Sequence, residues 1–579
     1  MADPSTEAPH SAAGSMTSRS RMADAIWLCC FLMAGLVVMS IHGADNDLWG
    51  HVTYGKDVLR DGYLHPTTTW SYAVDDFRWV NHENIAELSM AAADMLGGQT
   101  GLLLLKSFLI LVILGTPVFV ARRQGAGLIP CLVIVAMLVF NMAFHSLMRP
   151  HLFSYALFVL MMAALVTGLP GATTDRDNTW RFGRSLWFIP IILCVWTNAH
   201  GGYLAGLAIL AAWLGLDAGE LLINRDIRLR STVYHHAILF SVSVGACLIN
   251  PYGLELHRWM LSSLGRQRPE IMEWAPLALL ELQGAPFWAM VFAVVLSLRN
   301  STTEIRWPGL LMTGLVAVMA ILHRRHLPFV AMSLTFVLAP HLQSAWQAIC
   351  RRMEQQVELA GQSPVARRPR LAMPVAVLIA LCCLQYPKQA ILPVEREIYP
   401  VSAMEFMDQH DLYGNVFVTF NWAQYAIGVF SENSPESRVA YDGRFRTCYP
   451  QHIIDMYSDF VLGDLPPTER YREAASGPFD PDRALEFHSP DLVLFERMRA
   501  NCIEVMERNS ETWCLLYQDS RAQLWGRRSI FDDPASPRYL PQDRRDISDE
   551  LQHGIVEWPA IPKSAEIPVR VARTRELAL

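Results

Sequence analysis

Three carboxylates and two histidines crowd two motifs of the polar stretch between Gly43 and Gly101, Asp45-Asn46-Asp47-Leu48-Trp49-Gly50-His51 and Trp79-Val80-Asn81-His82-Glu83. Alternate carboxylates on a short segment can hold a divalent cation, Mg or Mn, through hard oxygens. Equally, Asp47 can take a proton from a hydroxyl while Asp45 orients it. The plainer reading is a solvated capping segment, and Trp49 and His51 beside the pair weigh against it. Asn81-His82-Glu83 reads as a helix N-terminus, with Asn81 as cap and Glu83 facing the positive end of the dipole. His82 and Glu83 equally complete a metal or acid–base set with Asp47.

A second group of motifs is basic. Arg149-Pro150-His151 opens an apolar run, and His323-Arg324-Arg325-His326 separates two more. Arginine at a membrane interface commonly snorkels. Beside carboxylates it is also a natural partner for a lipid phosphate, which guanidinium grips bidentately. Asn198-Ala199-His200-Gly201-Gly202 marks a close backbone approach or a helix end, and Asn250-Pro251-Tyr252-Gly253 is a turn. Glu273-Trp274 reads either as a pocket carboxylate with an aromatic platform or as an interfacial belt tryptophan.

The elements that must position these groups are membrane helices. Of 579 residues, 52% are hydrophobic and 18% charged, and the apolar residues fall in long blocks. Candidate spans lie at 25–42, 102–120, 127–144, 151–168, 186–199, 203–223, 235–250, 285–298, 307–322, 327–346 and 371–387, about 11 transmembrane helices. Residues 1–24 read as a disordered cytoplasmic N-terminus. With that end inside, the Lys/Arg-bearing loops fall inside as well, as the positive-inside rule asks. The His-rich motifs and the large first loop, 43–101, then share the outer face. One-sided clustering of ionisable groups at span ends describes a site.

After the membrane domain, 25–387, the composition becomes that of a soluble α/β domain, 388–530, with a helix at Val401–His410. Strands are expected at Asn415–Phe420, Arg438–Tyr441, Asp491–Phe495, Trp513–Tyr517 and Ala522–Trp525. Residues 531–579 read as an extended tail. Eleven cysteines include seven inside apolar runs, and Cys502–Cys514 is the nearest pair for a disulfide in the polar region. A net charge of −7 gives no support to nucleic-acid binding. No P-loop or Rossmann fingerprint is present.

The run from Asp45 to His51, then Gly55, Thr68–Tyr72 and Trp79–Glu83, resembles a family of bacterial multi-span membrane proteins of uncharacterised function. That family is itself similar to the GT-C class of polyprenyl-phosphate-sugar glycosyltransferases. The resemblance continues through Arg149-Pro-His, Asn198-Ala-His-Gly-Gly, Asn250-Pro-Tyr-Gly, Asn421-Trp422, Tyr441-Asp442-Gly443-Arg444 and Trp513–Asp519. Gly50 departs from it, standing where the family has an aromatic. The resemblance implies a polytopic inner-membrane protein of GT-C-like architecture with an extracytoplasmic α/β domain. It would transfer a sugar from a polyprenyl-phosphate donor to a glycan, lipid or protein acceptor. Asp47 would act as base, and Asp45 with His51, His82 or Glu83 would orient it or hold a cation. Arg149, His151, His200, Arg324 and Arg325 would meet the lipid phosphate, and Trp274, Asn421, Asp442 and Arg444 the acceptor. The rivals are a non-catalytic polysaccharide-assembly scaffold and a transporter or flippase of lipid-linked or anionic substrates. The latter calls for mid-span charges and repeats, whereas the charged motifs here sit at span ends on one face and no repeat is visible.

Overall fold

The chain is seen in a computed structural model that describes residues 18–40, 43–169, 183–264, 269, 271–359 and 371–563. Most of the expected N-terminal tail, residues 1–17, lies outside the described residues. The membrane part is built from Ser18–Met39 (α1), Leu48–Asp61 (α2), Asn84–Arg123 (α3), Leu128–Met142 (α4), Pro150–Gly168 (α5), Phe188–Ala199 (α6) and Tyr203–Ile223 (α7). It continues with Leu229–Cys247 (α8), Leu254–Leu264 (α9), Ala285–Asn300 (α10), Trp307–Leu322 (α11), Leu327–Leu359 (α12) and Ala372–Gln385 (α13). Each of the eleven expected spans falls on helix. Among the described residues, seven helical segments are long and apolar enough to cross a membrane, with two shorter apolar ones at Arg184–Ala199 and Trp307–Leu322.

Two of these helices shape the first loop. α2 ends where Gly62 takes φ +77 and its N–H bonds the Val58 carbonyl, a left-handed stop open to glycine. α3 fuses the amphipathic stretch 85–95 to the following span, and Gly98 (φ +53) kinks the join. The first loop therefore lies as two helices on the membrane domain. Gly55 of α2 abuts the Glu87 carbonyl so closely that a Cβ would reach Ala91 at 2.7 Å.

The soluble part contains Val401–Gln409 (α14), Phe420–Asn433 (α15) and eight strands: Pro393–Glu395 (β1), Asn415–Val418 (β2), Arg438–Val439 (β3), Leu492–Glu496 (β4), Trp513–Gln518 (β5), Ala522–Arg527 (β6), Asp546–Ile547 (β7) and Ile555–Glu557 (β8). Six of them form a mixed sheet ordered β3-β2-β4-β6-β5-β7. The first loop extends this sheet: the Tyr72 N–H bonds the Val439 carbonyl and the Val439 N–H bonds that of Trp70. Residues 564–579 of the tail expected to be extended lie outside the described residues, and its described part, 531–563, packs back, β8 pairing antiparallel with β1 and Trp558 packing against Trp49 at 4.7 Å. Its aromatic and branched residues gain burial there that an extended tail would forgo. The described cysteines are all free, so Cys502 and Cys514 do not pair; their thiols donate to the carbonyls of Phe460 and Gly526.

Candidate functional site

Arg149 organises the first-loop carboxylates. It is the cap residue of α5, held extended just before Pro150. Its Nε and Nη2 donate to the two Asp45 oxygens at 2.5 and 2.9 Å, Nη2 also reaches Asn46 Oδ1 at 2.9 Å, and Nη1 lies 3.2 Å from Asp47 Oδ2. Glu273 stands 3.9 Å from Nη1. A guanidinium therefore occupies the place between Asp45 and Asp47 where a cation was expected. Asp47 sits at the N-cap of α2 yet makes no capping bond, so its carboxylate remains available. Burial pushes its pKa above the ordinary carboxylate range, against the pull of Arg149 and with Asp45 adding to it.

One turn further on, His51 Nδ1 lies 3.3 Å from Glu87 Oε1, and Asn81 Nδ2 donates to Glu87 Oε2 at 2.6 Å. Asn81 is fixed in turn, its N–H bonding the Tyr252 hydroxyl and its Oδ1 accepting the Glu83 N–H. The Asn250–Gly253 turn thereby supports the site. Burial works against a charged His51, but the Glu87 hydrogen bond and the fields of Glu83, Glu87 and Asp47 outweigh it and raise its pKa. His51, Glu83 and Glu87 each offer a ligand atom, all within 4.8 Å of one another. Glu87 was missed in sequence. The buried positions Asn84, Glu87 and Ala91 put it on the apolar stripe of α3, and a carboxylate in such a stripe was the available signal.

His200 closes the chamber. Its Nδ1 accepts from the Ser154 hydroxyl (2.7 Å) and the Gly202 N–H (3.1 Å), while the Trp196 indole N–H donates to Ser154 Oγ at 2.6 Å. With Nδ1 taken as acceptor, the neutral ring must carry its proton on Nε2, which faces Glu83 at 3.8 Å. Burial holds this imidazole well below the usual histidine range, with His82, His151 and Arg325 acting the same way. His82 Nε2 approaches Glu83 at 3.7 Å. Ser154→Ala should cost about 1–3 kcal/mol, because a buried indole N–H loses its acceptor. A variant that melts with the wild type contradicts this chain of bonds.

The other expected residues fall in different places. His151 Nε2 donates to the His145 carbonyl at 3.0 Å. Arg325 lies over Trp274 at 4.5 Å, so this tryptophan carries the arginine that acts on His200, and Arg324 turns to Gln283. Asn421 is exposed and bonds Glu496 at 3.2 Å, on the rim of a cavity of about 400 Å³ that Asp45 and Arg521 also line. Asp442 and Arg444 are interior. They pair with each other, and Arg444 packs over Tyr54 (4.3 Å) and Trp79 (4.7 Å) of the first loop. Buried in this way, they do not face an acceptor.

No family model matches the chain, and no curated protein matches it. Solved structures do. The oligosaccharyltransferase of Archaeoglobus fulgidus in its apo form superposes with a TM-score of 0.50 at 11% identity, over 81% of this chain and 69% of that one. The same archaeal protein in complex with zinc and sulfate gives a TM-score of 0.41 at 10% identity, over 80% and 68%. ArnT from Cupriavidus metallidurans, bound to undecaprenyl phosphate, gives 0.47 at 11% identity, over 90% and 98%. The chain is thus a polytopic α-helical membrane protein of GT-C-like fold that carries a C-terminal α/β domain.

Proposed function

We propose that this protein is a membrane glycosyltransferase that moves a sugar from a polyprenyl-phosphate donor to a glycan, lipid or protein acceptor at the face bearing the α/β domain. The observation that carries the reading is the recessed Asp47 carboxylate, uncommitted to capping and set beside Arg149. Asp47 takes the acceptor hydroxyl proton as the acceptor oxygen attacks the anomeric carbon, and the bond from that carbon to the phosphate oxygen breaks. Arg149 and Arg325 stabilise charge on the departing polyprenyl phosphate, His200 donates from Nε2, and Asp45 keeps Arg149 in place. The fold shared with an oligosaccharyltransferase supports this reading. By the distribution of Lys and Arg, the site face is the outer one of a bacterial inner membrane, with the N-terminus cytoplasmic. Protein in nanodiscs should gain thermal stability from polyprenyl phosphate and none from the matching polyprenol. Equal response to both lipids would remove the lipid-phosphate donor.

A divalent cation fits His51, Glu83 and Glu87, whose one nitrogen and two carboxylates suit Mn better than Mg. When bound it would supply positive charge beside the donor phosphate. Mn(II) titrations followed by electron paramagnetic resonance should show a site that Glu87→Gln weakens at least about tenfold and Asp45→Asn leaves intact. A site abolished by Asp45→Asn and indifferent to Glu87→Gln would return the cation to the Asp45–Asp47 pair.

A further inference from the structure

The Tyr441-Asp442-Gly443-Arg444 motif faces the base. A Cβ built on Gly443 would lie 2.6 Å from Asp47 Oδ1 and would collide with the Gln424 amide. That same amide, from α15, fills the space that a side chain at Gly50 of α2 would need. Two glycines from opposite domains thus enclose one buried glutamine, and the Asp47 carboxylate rests on the second glycine. Gly50 is small because Gln424 occupies the space that a side chain there would take.

The turn is held rigidly. Asp442 accepts the Arg444 backbone N–H at 2.9 Å and the Arg444 guanidinium at 2.9 and 2.7 Å, and the Tyr449 hydroxyl also donates to it. Arg444 then bonds the Thr69 carbonyl and covers Tyr54 and Trp79. Asp442, Arg444 and Tyr449 are buried, and the far end of the turn is fixed to the first loop. Gly443 lies outside the left-handed φ region, so contact alone, not backbone conformation, excludes a side chain there.

We infer that Gly443 and Gln424 of the α/β domain are positioning residues for Asp47, setting how far its carboxylate stands from Arg149. This rests on the transferase reading for its purpose, but the seat itself can be tested without any substrate. A hydrophobic carbodiimide adds to recessed, protonated carboxyl groups, and the adduct at Asp47 can be counted by peptide mass spectrometry on the full chain in nanodiscs. Gly443→Ala pushes Oδ1 toward Arg149, so Asp47 labelling at neutral pH should fall at least about threefold, the equivalent of half a pKa unit. Gly428→Ala is the control. Its Cβ would meet Trp49 at 2.7 Å, disturbing the packing of the two domains without touching Asp47, and its labelling should stay at the wild-type level. Should Gly443→Ala not fold, Gln424→Ala removes the same wall without adding an atom, and its labelling should rise by a similar factor.

Unchanged labelling in a folded Gly443→Ala, or an equal fall in Gly428→Ala, overturns the inference. So does unchanged labelling in Gln424→Ala where that variant is the one read. Failure of polyprenyl phosphate to stabilise the wild type would instead remove the transferase reading and leave the seat of Asp47 standing.

Discussion

Arg149→Ala should destabilise the protein by about 3–5 kcal/mol and abolish stabilisation by polyprenyl phosphate. Removing one partner of a buried ion pair leaves the other charged and unpaired, and that penalty exceeds what the pair itself contributes. Here two carboxylates lose the same partner, and Asp45 is 8% exposed. Arg149→Lys keeps the charge but cannot reproduce a fork that meets Asp45 through two nitrogens and Asp47 through a third, so it should fall between alanine and wild type. Adding Asp45→Asn to Arg149→Ala should recover part of the lost stability, because the stranded charge is then gone. Thermal melting in nanodiscs, with and without the lipid, reads all four proteins. A wild-type melting temperature together with a full lipid response in Arg149→Ala would show that the guanidinium neither holds the first loop nor meets the phosphate.

Much of this arrangement was legible because membrane burial constrains composition strongly. A helix that crosses a bilayer needs about twenty apolar residues in a row, and all the expected spans are helical. Five of the eight strands, β2 to β6, were readable as β-type runs, with ends displaced by a residue or two, whereas β1, β7 and β8 were not expected. At the site, residue types gave the membership of the chamber but not its pairings. Nothing local to Asp45-Asn46-Asp47 says that Arg149, a hundred residues later, takes both oxygens of the first aspartate. The acidic pair thus read as a cation site when its cation is a side chain.

Burial was the quantity that sequence could not supply. Asp442-Gly443-Arg444 looks like an exposed polar turn, and polar turns normally face water. It is interior because the first loop folds over it, a contact between residues nearly four hundred positions apart. Glu87 hid for the converse reason, as a charged residue within what read as an ordinary amphipathic stretch. The tail was misjudged through composition. Its prolines and charges suggested extension, yet Trp558 and the Pro559 carbonyl, which accepts the Trp49 indole N–H at 2.8 Å, fasten it to α2.

Asp47→Asn should remove transfer while leaving the protein as stable as the wild type, or more so, at neutral pH. A general base contributes about 10²–10⁴-fold to rate, and an amide of the same shape cannot accept the proton. The stability argument follows from the direction in which burial moves this group. The folded-state pKa of Asp47 is raised above its unfolded value. Its favourable contribution is then complete only below the unfolded pKa and is lost as pH rises through the folded one. Once ionised, the wild-type carboxylate is one that the fold disfavours, and asparagine carries no such charge. The difference in melting temperature, variant minus wild type, should be positive at pH 7 and shrink as pH falls into the ordinary carboxylate range. Arg149 opposes this shift without outweighing burial, and it keeps Asp45 and Asn46 when Asp47 becomes neutral. A variant that is less stable at pH 7 and recovers in acid would mean that Arg149 outweighs burial, making Asp47 an ion-pair partner in place of a base. A residue whose removal stabilises the fold and stops the reaction would be one the fold carries for chemistry.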